Sequence, residues 1–105
     1  MSEPVRICAL SDLPDGGATR VDHEGHRLAV VRFGDEVFVI GDRCSHADVS
    51  LSEGEVIADD REIECWKHGA TFSLVDGEPQ CLPATKAVPT YAVTLDGDDV
   101  KVVLA

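Results

Sequence analysis

Residues 19–42 read TRVDHEGHRLAVVRFGDEVFVIGD, and this stretch decides the fold class. Residues 19–23 and 26–33 flank Glu24-Gly25, Phe33 and Glu36 flank Gly34-Asp35, and Val37-Phe38-Val39-Ile40 stops at Gly41-Asp42. Strand-length runs rich in Val, Ile, Phe and Thr, broken by glycine beside an acidic residue, predict antiparallel strands joined by tight turns. Glycine supplies the positive φ that such turns need, and aspartate bonds its own backbone there. No window of helical length shows an apolar period of 3.6 residues.

Working outward, residues 5–10 form another β-rich run, and Ser11-Asp12-Leu13-Pro14 predicts a turn or a short helical turn. Downstream, 62–65 and 71–74 lead to a break at Asp76-Gly77, and 91–95 and 100–104 are separated by Asp96-Gly97-Asp98-Asp99. The pattern predicts an all-β antiparallel domain, a small sandwich or partly open barrel. Three stretches depart from it: a long polar loop over 44–55, a tight loop over 66–70, and an irregular loop over 79–89 that holds three of the five prolines. There is no internal repeat beyond the two Cys/His loops, no low-complexity tract and no linker, so residues 1–105 are read as one domain.

Size and charge narrow the function. A chain of 105 residues with 44% apolar content supports one core and is too short to carry a cofactor-binding catalytic domain beside an electron-transfer domain. Nine Lys+Arg against twenty Asp+Glu give a formal charge of −11, which repels nucleic-acid phosphates and anionic membranes. That charge serves solubility or steers association with a basic protein face. Met1-Ser2-Glu3-Pro4 is not followed by the apolar run of a signal peptide, and nothing approaches the roughly 18 apolar residues of a membrane span. The expected compartment is therefore the cytosol, where Cys8, Cys44, Cys65 and Cys81 are expected to be metal ligands or buried thiols rather than disulfides.

The chemistry-bearing residues open the first two irregular loops. Cys44-Ser45-His46 begins one and Cys65-Trp66-Lys67-His68 the other, so each loop offers one thiolate and one imidazole. A single tetrahedral Zn²⁺ accepts such a set. Zinc fingers, however, commonly draw a cysteine pair from one element and a histidine pair from another, whereas each loop here is mixed. Mixed loops suit a two-iron cluster whose cysteines take one iron and histidines the other.

On these residues the chain resembles the Rieske ferredoxin family, whose pattern is C-x-H, a spacer of some sixteen or more residues, and C-x₂-H. Here Cys44-x-His46 and Cys65-x₂-His68 are separated by eighteen residues. The resemblance extends to Gly69, the Asp76-Gly77 turn and the proline loop Leu82-Pro83-Ala84. It implies a β fold with a cluster-binding subdomain, about residues 42–85, in which two ligand loops and the proline loop cover one [2Fe–2S] cluster held by Cys44, His46, Cys65 and His68. It also implies one-electron transfer from an NAD(P)H-dependent flavin reductase to a terminal oxygenase by a carrier that is not itself an enzyme. The alternatives are a structural zinc domain mediating protein contacts, or an accessory Rieske subunit bound permanently to a larger oxidoreductase. No nucleophile–base arrangement or substrate-pocket signature is present.

The departures from relatives are informative. Rieske proteins of respiratory cytochrome bc-type complexes add a cysteine to each ligand loop, forming a disulfide, and these loops have none. Those proteins also carry Ser two residues and Tyr four residues past the last His ligand, where this chain has Ala70 and Phe72. Imidazoles in place of two thiolates leave the oxidised centre formally neutral, which lifts potentials from about −400 mV into roughly −150 to +300 mV. Without those hydroxyl donors, and on an acidic protein, the expected value lies near the bottom of that range.

Other residues carry expectations of their own. Gly69 is read as permitting close approach of backbone to the cluster, or as an ordinary turn glycine. Pro83 is read as stiffening a covering loop. Trp66 either faces a partner beside Lys67 or anchors its loop in the core. His23 and His26 are expected to be surface polar residues, Cys8 and Cys81 small buried hydrophobes, and Asp48, Glu53 and Glu55 solvated loop charges able to meet a basic partner.

Overall fold

Leu28, Ala29, Val30 and Val31 are all completely buried, so the strand that contains them is covered on both faces. A computed structural model describes residues 4–23, 25–43, 50–57, 59–66, 69–80 and 87–103. In it β3 (His26–Phe33) lies inside a four-stranded antiparallel sheet ordered β2-β3-β4-β8, with β2 (Ala18–His23), β4 (Glu36–Gly41) and β8 (Thr90–Tyr91). Successive side chains alternate between faces. Ala29, Val31 and Ile40 therefore enter one core, and Leu28, Val30 and Val39 the other.

The second of these cores is closed by a three-stranded sheet that joins the chain's two ends. There β1 (Val5–Ala9) pairs with β10 (Asp99–Val102), and β10 with β9 (Val93–Asp96). Val100 and Val102 enter the core from β10, and Leu13 joins them after a 3₁₀ turn over Leu10–Asp12. The first core is closed by a small meander of β5 (Val56–Ile57), β6 (Glu62–Glu64) and β7 (Thr71–Ser73). It contributes Ile63, Phe72 and, just beyond the strands, Cys65, Ala70 and Leu74.

The all-β antiparallel architecture agrees with the sequence pattern, with local differences. The run over 91–95 is split at Ala92, because Thr90–Tyr91 pairs with β4 while Val93–Asp96 crosses to β10. Strand β5 was not anticipated, since two residues are too few to show alternation. Nor is the first loop uniformly polar: Leu51 starts a 3₁₀ turn and is completely buried. His26 is half-buried and meets Tyr91 edge-on, with ring centroids 6.3 Å apart, where a solvated surface residue was expected. Cys8 is half-buried against the second core, close to expectation, and Cys81 lies outside the described residues. Among the described residues no helix is long and apolar enough to cross a membrane.

Candidate metal centre

The pairing of Glu64 with Thr71 is the last rung of the β6–β7 ladder before the loop that carries Cys65. Beyond the rung, the Cys65 amide donates to the Ala70 carbonyl at 2.6 Å, and the Gly69 amide donates to the Cys65 carbonyl at 2.9 Å. This tight closure needs the left-handed backbone of Gly69, φ 75°, which a side chain would strain. A Cβ on Gly69 would meet no atom of the described residues within 4 Å, so what these residues require of it is the positive φ of the turn. Cys65 is fully buried against the core of Leu51, Ala70 and Phe72 and forms no disulfide. The next residue, Trp66, is 53% exposed, which decides between its two readings in favour of a solvent-facing indole.

The downstream end of the first Cys/His loop returns to the same rung. Arg43 and Ser50 form an antiparallel bridge, and the Leu51 amide donates to the Asp42 carbonyl at 2.6 Å, closing the loop at its base. After the 3₁₀ turn, Gly54 passes so close to Glu64 that any Cβ would collide with the Glu64 carbonyl oxygen. The Glu64 amide then donates to the Glu55 carbonyl at 2.8 Å, and Val56 pairs with Ile63. Gly54 is thus the position where only a hydrogen side chain lets the first loop lie against the strand leading into Cys65.

The proline-rich segment is attached on the other side of the rung. Phe72 bridges Pro79, and the Gln80 amide donates to the Thr71 carbonyl at 2.7 Å. Its far end is held where the Val88 amide donates to the Gly77 carbonyl at 2.9 Å. The stems of three loops therefore meet at one end of a three-stranded sheet. Cys44, His46, His68 and Pro83 lie outside the described residues, as do Lys67 and Asp48; Cys65 is the predicted ligand that the description includes. Among the described residues no three metal-ligating side chains cluster.

The donor chemistry fits an iron–sulfur centre. A buried thiol free of disulfide bonding stands at the junction of loops whose remaining candidate donors are one thiol and two imidazoles, the set Rieske ligation uses. Ala70 and Phe72, apolar where the bc-type proteins carry hydroxyl groups, are fully buried in the same core as Cys65. Glu53 and Glu55 are exposed beside the loop stem, so the surroundings are acidic. The sheet is also tied to the β3–β4 turn: the Arg61 guanidinium lies 4.5 Å above the Phe33 ring and donates to Glu36 at 3.1 Å.

Sequence reasoning missed three contributors here. By its sequence context Asp42 is a turn residue ending a strand, yet its carboxylate is completely buried. Gly54 was not singled out, because its need arises from a strand ten residues downstream. Leu51, a lone leucine in a polar loop, was the one legible signal of a buried anchor.

The model of the Rieske [2Fe-2S] domain family matches residues 3–92. A 3-phenylpropionate/cinnamic acid dioxygenase ferredoxin subunit from Shigella boydii serotype 4 (strain Sb227) is 41% identical over 96 residues, covering 91% of this chain and 89% of that protein. The solved ferredoxin of carbazole 1,9a-dioxygenase from Nocardioides aromaticivorans IC177 superposes with a TM-score of 0.92 at 39% identity, covering 97% of this chain and 98% of the other. A second solved structure, the complex of reduced oxygenase and oxidized ferredoxin in carbazole 1,9a-dioxygenase, contains a chain with a TM-score of 0.86 at 35% identity, covering 98% and 94%. The match decides between the two metals that the ligand set admits, in favour of iron and sulfide over zinc.

Proposed function

The chain belongs to the Rieske [2Fe–2S] domain family, and from that premise we propose that it carries single electrons to a terminal oxygenase, with Cys44 and Cys65 holding one iron and His46 and His68 the other. It is an electron-transfer protein rather than an enzyme, of the kind that serves dioxygenase systems as their ferredoxin component. One [2Fe–2S] cluster per chain supplies a reversible one-electron store. The observation that supports the ligand assignment is that the downstream end of the Cys44/His46 loop reaches Glu64 through Gly54 and Glu55, on the rung that leads into Cys65, with Leu51 and Cys65 in one core.

The chain's own residues shape what that store can do. Cys65 presents its sulfur from a dry position, packed against Leu51 and Phe72 and sheltered from water and oxidants. Trp66 offers a partner a large exposed aromatic contact between two ligands. The net charge of −11 steers a basic partner face toward the molecule. The donor in this scheme is an NAD(P)H-dependent flavin reductase, the compartment is the cytoplasm, and residues 1–105 act as a single domain. Because the attraction is electrostatic, binding to both partners weakens as salt shortens the Debye length.

Iron and acid-labile sulfide analysis, with low-temperature electron spin resonance of the reduced protein, tests the assignment. Two irons and two sulfides per chain with a mixed imidazole–thiolate signal are expected. One zinc without sulfide, or an all-thiolate signal, would overturn it.

A further inference from the structure

Among the described residues, Asp42 is the one fully buried charged side chain. It stands two positions before Cys44, at the entry to the first ligand-bearing loop. A carboxylate taken out of water is costly unless its surroundings replace the lost hydration. Here the replacement is specific. Oδ1 accepts the Ser52 amide at 2.9 Å, while Oδ2 takes no hydrogen bond among the described residues and lies 3.5 Å from Arg27 Nη2 and 3.9 Å from Arg20 Nε.

The same groups grip both ends of the loop. At its entry, the Asp42 amide donates to the Arg27 carbonyl at 3.0 Å. At its exit, Arg27 Nη2 donates to Ser50 Oγ at 2.9 Å, and the consecutive amides of Leu51 and Ser52 donate to the Asp42 carbonyl and carboxylate. One guanidinium and one carboxylate thus span residues 43–50. Ordinary turn closure would need only the backbone bonds; the buried carboxylate facing the part-exposed Arg27 guanidinium adds a constraint on where the loop's stem sits relative to β3.

Resting on the proposed ligation by Cys44 and His46, we propose that Asp42 is the positioning residue of this loop. With Arg27 it fixes the stem from which those two ligands are presented, so that the pair governs cluster retention and the electronic symmetry of the site. Groups behind metal ligands that orient them commonly change metal retention by about ten- to a hundredfold when removed.

The test uses the holoprotein, Asp42→Ala, Asp42→Asn, and Val100→Ala as a control. Val100 is buried in the other core, away from the ligand-bearing loops, and its truncation lowers stability without touching them. Wild-type protein is assayed first: absence of sulfide would overturn the cluster assignment and this proposal with it. Given two irons and two sulfides, the readouts are the half-life of the cluster against an iron chelator and the g values of the reduced form. Asp42→Ala is expected to shorten the half-life on the order of tenfold and to shift the g values. Asp42→Asn, whose amide oxygen can still accept from Ser52, is expected to fall between it and wild type. Val100→Ala should keep wild-type g values despite its lower melting temperature. A cluster in Asp42→Ala as durable as in Val100→Ala, with wild-type g values, would overturn the proposal. If Asp42→Ala fails to fold, an Asp42→Asn protein matching wild type in both readouts would overturn it equally.

Discussion

The sheet of β2, β3 and β4 and the meander of β5, β6 and β7 are built on opposite strategies. The first has strands of six, eight and six residues, with its central strand β3 packed on both faces. The second has strands of two, three and three residues. It is held by loop amides, the close pass at Gly54 and the Arg61–Phe33 contact. A two- or three-residue strand is marginal alone, so the meander depends on the core beneath it and on what its loops bind. The long sheet is a self-sufficient platform; under the proposed ligation the meander is a holder completed by its cofactor.

That contrast is most exposed at Cys65. Cys65→Ser should abolish the visible and spin-resonance spectra of the cluster, while far-ultraviolet circular dichroism still reports the β platform. Loss of all structure on this substitution would show that the platform is not independent. Leu28→Ala strikes the other side, truncating a fully buried residue of β3 on the face away from the meander. Denaturant unfolding should show a loss of about 2–5 kcal/mol, with the spectrum of the remaining folded protein unchanged.

Smaller effects refine the picture. Ala70 is buried two residues past His68, and under the proposed ligation a hydroxyl there adds a donor near the cluster sulfurs. A hydrogen bond worth about 1 kcal/mol more to the reduced form corresponds to about 40 mV for one electron, so Ala70→Ser should raise the potential by that order. Potentiometric titration reads the shift; an unchanged or lowered value would remove hydroxyl loss as the reason for a low potential. The wild-type potential itself should fall near the low end of the Rieske window.

The smallest effect belongs to the platform. Burial pushes the Cys8 thiol up from its ordinary range, nearby Asp12 adds to this, and Arg6 opposes it. The folded state therefore holds the thiol proton more tightly than the unfolded chain. This contribution is complete below the ordinary cysteine value of about 8.5 and is lost as pH rises through the folded one. Melting temperatures should decline on the alkaline side in wild type and less steeply in Cys8→Ala. Parallel curves for the two proteins would remove Cys8 as the cause.

The platform was more legible than the holder. Residues 26–33 coincide with β3 because eight residues suffice to display a pattern and the turns on either side contain glycine. The β5 strand escaped notice because Val56 and Ile57 have no period to show. The break at Ala92 was invisible for a different reason: the chain stays extended while changing sheets, and extension is all that residue type reports. Asp42 looked like a turn aspartate since its partners, Arg27 and Ser52, come from separate elements.

Local chemistry alone was enough to specify antiparallel strands, their turns, and a donor set of two thiols and two imidazoles in mixed loops. Those features depend on neighbours within a few residues, where alternation, glycine and side-chain type act directly. Folding supplied the rest: which core each alternate residue enters, the meeting of three loop stems at the Glu64–Thr71 rung, the exposure of Trp66 and the burial of Asp42. Each of these arises from backbone pairing and packing between segments remote in the chain, which no short window of residues can encode by itself.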